Sequence, residues 1–317
     1  MATKKQFNFR KAQVKDIKDV KEMIQELADF EKMSDGPQLT EQDLIRDSGL
    51  DGGQEYCHIY VLDLVEQEKT TVIGYAICFF NYSTWQGKSY FLEDIYVRPA
   101  YRGIGAGARM FKEVAAKANE FNCKRVDFHV LSWNPASKFY KKLGATDLTE
   151  AEEWHFYRLQ EKDIKNLELA KLHDGIGKSN LTEEDLIRDS GLNGSRECCH
   201  IYVLELIEEN QPTIIGYAIC FFSYSTWQGR SYFLEDIYVR PKYRGIGAGA
   251  RIFSEVAAKA NEFKCKRLDF HVLSHNPATK FYKKMGASDL SETEEWRLYR
   301  LNYENMGKLL EQLKSEQ

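Results

Sequence analysis

The sequence predicts a mixed α/β protein built from two tandem copies of one domain. Its 317 residues are about two domains' worth of chain. The second half repeats the first: LIRDSGL at 44–50 returns at 186–192 and FLEDIYVRP at 91–99 returns at 233–241, each displaced by 142 (186 − 44 and 233 − 91). The register runs without a gap from Gln38–Leu159 onto Asn180–Leu301, with 28 mismatches in 122 positions. Within each copy, extended segments alternate with helical patterns.

The elements follow in order. Phe7–Met33 begins with a strand-like FNFRKA and continues as a helix with Ile17, Val20, Ile24 and Leu27 spaced by three and four. Tyr60–Val65 and Thr71–Phe80 read as strands joined by a charged turn, and Tyr90–Val97 is a third that stops before Pro99. Gly103 to Asn122 reads as a helix with a glycine-rich start. Arg125–Leu131 follows as a strand, Pro135–Leu143 as a helix ended by Gly144, and Glu153–Leu159 as a last strand. The second copy lacks the front strand and part of the first helix; only a charged, helix-like Gln160–Ser179 precedes it. The expected division is a complete domain at 1–160, a helix-like linker at 161–179 and a shortened domain at 180–317.

Composition removes several classes of function. A net charge of −4 argues against nucleic-acid binding and against a polybasic membrane contact. The longest apolar run, Val72 to Phe80, is too short to span a bilayer, and the N-terminus carries no signal-peptide core. Seven cysteines without a CxxC pair or zinc spacing fit reduced thiols in a cytoplasmic protein without a metal.

The chemistry concentrates around two motifs. Arg102-Gly-Ile-Gly-Ala-Gly, repeated at Arg244–Gly249, follows an extended strand and opens a helix, which presents bare backbone N–H groups to an anion. It has neither the GK[ST] of a P-loop nor G-x-G-x-x-G spacing, and a ligand-free glycine turn is the competing reading. The second motif is FLEDIYV, an adjacent carboxylate pair on a strand. Strict alternation sends Glu93 and Asp94 to opposite faces, so a shared pocket requires a β-bulge.

R-x-x-G-x-G with the preceding LEDIYVRPAYR resembles the acetyl-CoA motif of the GNAT (GCN5-related) N-acetyltransferase superfamily. ELADFEK, YSTWQGK, FLEDIYV and NPASKFYKKLGATDLTEAEEWHFYRL are together similar to the diamine acetyltransferases of spermidine and spermine. YSTW and DLTEAEEWHF lean toward their thialysine N-acetyltransferase branch. The resemblance spans Phe7 to Leu159 and nearly all of the second copy. It implies two tandem acyl-CoA N-acyltransferase domains, each a mostly antiparallel sheet flanked by helices, packed as an intramolecular pseudo-dimer. A superfamily β-bulge in the acid-bearing strand is implied as well.

The resemblance also implies roles. Arg102, Gly103, Ile104, Gly105, Ala106, Gly107 and Ala108 hold the CoA pyrophosphate. The main chain of Ile95, Tyr96 and Val97 pairs with the pantetheine arm, and Asn134 touches CoA. Tyr140 is the general acid for the thiolate. Glu93 takes the acceptor's proton through water, while Asp94, Trp85 and Trp154 line the acceptor tunnel. The second set is Arg244, Gly245, Ile246, Gly247, Ala248, Gly249, Ala250, Ile237, Tyr238, Val239, Asn276, Tyr282, Glu235, Asp236, Trp227 and Trp296. Asn134 and Tyr140 lie six apart where the family pattern has seven, which shortens the loop before Tyr140.

Physical chemistry agrees with these roles. An alkylamine is almost wholly protonated at neutral pH, so carboxylates both attract it and take up its proton. A phenol arrives protonated and can serve a thiolate, and tryptophans suit methylene chains and ammonium groups. Bland alternatives remain: Glu93-Asp94 as solvated charge, Tyr140 as a buried aromatic, Trp154 as core and His129 as a hydrogen-bonded strand histidine.

The expected reaction is acetyl transfer from acetyl-CoA to a primary amine of a small cationic diamine, polyamine or lysine analogue, by direct attack in a ternary complex. Protein or peptide N-acetylation is a second reading. A third makes the second copy a non-catalytic CoA-binding or pseudo-dimer partner, and further homo-oligomerisation is compatible with all three.

Overall fold

A computed structural model of the chain describes residues 6–33, 36–67, 69–160, 163, 181–195, 197–208 and 211–315. The first copy runs β1 (Gln6–Lys11), α1 (Ile17–Phe30), α2 (Glu41–Asp47), β2 (His58–Glu66), β3 (Lys69–Ser83) and β4 (Gly87–Val97). It continues with α3 (Ala106–Glu120), β5 (Arg125–Leu131), α4 (Ala136–Lys142), β6 (Thr146–Asp147), α5 (Leu148–Glu152) and β7 (Trp154–Gln160). The second copy runs α6 (Glu183–Asp189), β8 (His200–Glu208), β9 (Gln211–Ser225), β10 (Gly229–Val239), α7 (Ala248–Glu262) and β11 (Arg267–Leu273). It ends with α8 (Ala278–Lys284), β12 (Ser288–Asp289), α9 (Leu290–Thr293), β13 (Trp296–Asn302) and α10 (Tyr303–Ser315). The helix-like linker expected at 161–179 lies outside the described residues, apart from residue 163.

The two sheets have the orders β1-β2-β3-β4-β5-β13-β6 and β12-β7-β11-β10-β9-β8. All pairings are antiparallel except β4 with β5 and β10 with β11. The copies therefore exchange their last strands. β7 pairs with β11 of the second copy along Trp154↔Leu273 to Gln160↔Arg267, and β13 pairs with β5 along Trp296↔Leu131 to Asn302↔Arg125. A cut after residue 160 follows the covalent repeat but separates β7 from the sheet it completes.

Packing follows the exchange. The core under the first sheet includes Phe111, Val114 and Phe128 together with Tyr299, Leu301, Met306 and Leu309 from the end of the chain. The core under the second sheet takes Tyr157 and Leu159 from the first copy. A third cluster joins the faces of both sheets, with Ile77, Phe79 and Phe91 opposite Ile219, Phe221 and Phe233. Burying these side chains contributes roughly 1.5–3 kcal/mol each, so each copy owes part of its core to the other.

Local sequence fixes the element ends. α1 buries Ile17, Val20, Met23, Ile24 and Ala28, the three-and-four spacing of one helix face. α2 is opened by a capping box in which Thr40 Oγ1 accepts from the Asp43 N–H at 3.1 Å, and α6 repeats it with Thr182 and Asp185. α3 starts at Ala106, later than the expected Gly103, because Gly103 and Gly105 take φ of 77° and 90°. That left-handed region is open to glycine and closed to a continuing right-handed helix. β1 covers β2, whereas β8 forms the outer edge of the second sheet among the described residues. No described helix is long and apolar enough to cross a membrane.

Candidate active site

Both acid-bearing strands carry the bulge that alternation demanded. In β4, Ile77 faces Asp94 and Cys78 faces Leu92, which leaves Glu93 as the extra residue; Glu235 is the extra residue in β10. Parity then flips. Leu92 and Ile95 pack into the core under the sheet, while Phe91 and Tyr96 face the cluster between the sheets. Glu93 and Asp94 are thereby brought to the same face, and both line one cavity of about 440 Å³ between the copies.

At one end of this cavity Asp94 accepts from the Tyr75 hydroxyl at 2.9 Å. Glu31, just past the end of α1, lines the same wall. Burial is the largest cause pushing all three carboxyls up, Glu31 to about 8, with the neighbouring negative charge of Asp94 adding to Glu31 and Glu93. Tyr140 on α4 is buried against Phe128 and Phe111, at ring separations of 4.7 and 5.2 Å. Its phenol is raised above its ordinary value by burial, then by the charges of Glu31 and Asp94, so it stays protonated. In the second copy burial pushes Glu235 up to about 7, and Tyr217 donates to Asp236 at 2.8 Å. Tyr282 is buried there as Tyr140 is, beneath Phe270 at 4.6 Å.

The glycine loop and the strand beside it form an anion-ready cradle. A Cβ built on Gly103 or Gly105 meets nothing within 4 Å, so the backbone is open above the start of α3. Arg102 is held by its Nε, which donates to the Val97 carbonyl at 2.8 Å, and its guanidinium stacks over Tyr96 at 5.1 Å. β4 and β5 pair only from Tyr90↔Val126 to Leu92↔Phe128. Beyond Leu92 the two strands part, and β4 keeps β3 as its strand neighbour through Ile95, Tyr96 and Val97. Arg244, Gly245 and Gly247 repeat the arrangement, with Arg244 Nε donating to the Val239 carbonyl at 2.8 Å.

The sequence matches the acetyltransferase (GNAT) family twice, over residues 21–145 and 165–287. The chain belongs to that family. It is accordingly an acetyltransferase. A bovine thialysine N-epsilon-acetyltransferase is 39% identical over 163 residues, covering 50% of this chain and 95% of its own. A human spermidine/spermine N(1)-acetyltransferase-like protein 1 is 36% identical over 165 residues, 51% of this chain and 24% of its own. The solved GCN5-related N-acetyltransferase of Sphaerobacter thermophilus shares the fold across 94% of this chain and 96% of its own, at a TM-score of 0.52 and 14% identity.

In this tandem GNAT protein the strand exchange mixes the sequence-predicted residues between the copies. Trp154 and Trp296 travel with the exchanged strands: Trp296 sits beside Leu131 of the first copy, and Trp154 beside Leu273 of the second. Trp227, on the hairpin before β10, lines the cavity with Glu31 and Asp94, and its ring rests on the backbone of Gly36. A side chain at 36 would collide with that ring. Trp85 is about half exposed on the corresponding hairpin of the first copy. Asn134 and Asn276 accept from the N–H groups of Ala136 and Ala278, at 3.0 and 2.9 Å, and so open α4 and α8.

Sequence reasoning missed several cavity residues. Glu31 lay in the quoted ELADFEK without being singled out. Arg125 and Asp127, both buried, alternate with Val126 and Phe128 along β5, followed by the half-buried His129, which the sequence had marked as a hydrogen-bonded strand histidine. His129 Nε2 meets His271 Nε2 at 3.1 Å, and burial lowers both imidazoles, His271 to about 4. Period-two charge on a strand between apolar residues was the available signal, and it is also the ordinary signature of a solvated face.

Proposed function

We propose that the protein transfers the acetyl group of acetyl-CoA to the primary amine of a small cationic acceptor, a diamine or a lysine analogue. The observation that carries this reading is the Glu93 bulge, which turns two carboxyls into one cavity, while the protonated Tyr140 sits in the core under the same sheet, within reach of the charges of Glu31 and Asp94. The names of the thialysine and spermidine/spermine relatives support the acceptor class.

In the first copy, the backbone of Gly103–Ala108 and Arg102 hold the pyrophosphate, and the main chain of Ile95–Val97 carries the pantetheine arm. Asp94 attracts the acceptor's ammonium, and the Glu31 carboxyl accepts a hydrogen bond from it. Glu93 takes its proton through water, and a carboxyl raised toward neutrality suits that task. The amine nitrogen bonds to the acetyl carbon as the carbon–sulfur bond breaks. The Tyr140 phenol gives its proton to the departing thiolate. No cysteine lines the cavity, which fits direct attack without an acetyl-enzyme.

The second copy keeps Glu235, Asp236 and Tyr282 but has no front helix in the described chain to supply a partner equivalent to Glu31. That difference favours the first copy as the main catalyst. CoA release with a panel of amines tests the reading in Tyr140→Phe and Tyr282→Phe. We expect Tyr140→Phe to lose at least about tenfold in kcat and Tyr282→Phe to lose less. Wild-type rates in both variants would overturn the general-acid assignment.

A further inference from the structure

The open edge of the second sheet is one half of a contact that the first sheet completes. On β2, Asp63 is buried and accepts from Arg10 Nε of β1 at 2.8 Å and from Asn8 Nδ2 at 3.2 Å. Glu55, just before β2, is ion-paired with Lys11 of β1. Phe9 of β1 lies opposite Leu62 and stacks on Tyr60 at 5.0 Å. The second copy keeps the receiving residues of all three contacts, as Glu205, Glu197, and Tyr202 with Leu204. Among the described residues, no strand lies on the far side of β8 to meet them. Glu205 is exposed and makes no ion pair or hydrogen bond with the described residues, and Glu197 is left with His200 at 3.8 Å. On the face of Glu205, Val203 and Ile207 are exposed, together with Ile214 of β9, which pairs with Glu205. An unpaired edge also presents a row of main-chain donors and acceptors to whatever strand approaches.

We propose that β8 is a docking edge for an extended segment of a separate polypeptide, one that alternates apolar with cationic residues. The segment adds a strand antiparallel to β8, as β1 does to β2, with its apolar side chains against Tyr202, Leu204 and Leu206. Its cations reach Glu205 and, near the end of the strand, Glu197. Charge selects this occupant. Two β8 edges placed together would set Glu205 and Glu208 of one chain against the same acids of the other, and like charges across a strand pair repel. Nor does a second copy of the chain have a β1 to give, because its own β1 is paired with its own β2. Main-chain hydrogen bonds give such strand addition its affinity, and the alternate side chains give it selectivity.

The probe is a synthetic peptide of residues 6–30 of this chain, fluorescently labelled and titrated onto the full chain. Its anisotropy is expected to saturate at one peptide per chain, with amide exchange slowed along Ile201–Ile207. Glu205→Lys is expected to weaken binding by about tenfold or more, and a peptide carrying Arg10→Glu is expected to recover part of that loss on the Glu205→Lys chain. Val203→Asp, on the same exposed face, is expected to weaken binding as well and decides the matter should Glu205→Lys fail to fold. No saturation up to about 1 mM peptide, or binding that ignores both variants, would overturn the docking edge. Exchange slowed on β2 alone would overturn it too, because the peptide would then have displaced β1. Self-association that protects β8 without peptide would overturn it in favour of a second copy of the chain.

Discussion

Arg300, on the last strand of the second copy, donates from Nε to Asp127 of the first copy at 2.7 Å. Arg125 reaches the same carboxylate at 2.7 Å, so Asp127 bridges the buried Arg125 and the partly exposed Arg300 across a strand boundary that exists only through the exchange. Their charges, against the cost of burial, hold its carboxyl down to about 2. Removing it in Asp127→Ala leaves the buried Arg125 guanidinium without its counter-ion, which costs on the order of 3–5 kcal/mol. Urea unfolding is expected to show that loss. A change under about 1 kcal/mol would mean that water already solvates the pair. The sign with pH is fixed: a depressed carboxyl stabilises above its unfolded value and loses that contribution as pH falls toward about 2.

The acids of the cavity act in the opposite direction. Glu31, raised by burial to about 8, binds more protons folded than unfolded. Its stabilisation is complete below the ordinary carboxylate range and fades as pH rises to about 8. Glu31→Gln is therefore expected to flatten the alkaline arm of a stability–pH curve. Activity runs the other way, because Glu93 must be ionised to take a proton. kcat/KM is expected to rise from neutral to mildly alkaline pH and to lose that limb in Glu93→Gln, measured by CoA release. A limb that persists in Glu93→Gln would assign it to another group.

Much of this was legible in the residues, for identifiable reasons. The 142-residue repeat named the two domains, and the parity of Glu93 and Asp94 showed that a shared pocket needs a bulge, which the family resemblance implied. The strand exchange was not legible. WHFYRL and WRLYRL are nearly the same strand, and either fits either sheet, so local pattern cannot say which neighbour each will choose. The same blindness grouped Trp154 with Trp85 and Trp227 with Trp296, by position in the chain. The buried arginine clusters went unseen because charge on a strand reads as solvent exposure until a second sheet covers it.

Gly105 offers a test of the CoA cradle that spares the core. Its φ of 90° is hard for any other residue, yet nothing stands within 4 Å of a Cβ placed there. Gly105→Ala should cost about 1 kcal/mol through backbone strain alone. The same strain tilts the N–H groups at the start of α3 away from a bound phosphate. The expected result is a several-fold higher KM for acetyl-CoA with little change in acceptor KM. An unchanged KM for acetyl-CoA would remove this loop from the cofactor site.

Val61 and Val203 occupy the same place in the two copies and opposite surroundings. Val61, under β1 and α1, is fully buried, whereas Val203 on the outer strand β8 is 56% exposed. The difference follows from the front of the second copy, since among the described residues β8 has no counterpart of β1 beside it. Deleting two methyl groups from a closed core removes apolar burial and leaves a void, while deleting them at a half-wet edge does neither. Val61→Ala is expected to lower stability by about 2 kcal/mol, and Val203→Ala by less than about 0.5 kcal/mol. Denaturant titration of the two variants measures both. Equal losses would mean that something covers β8 in solution as β1 covers β2.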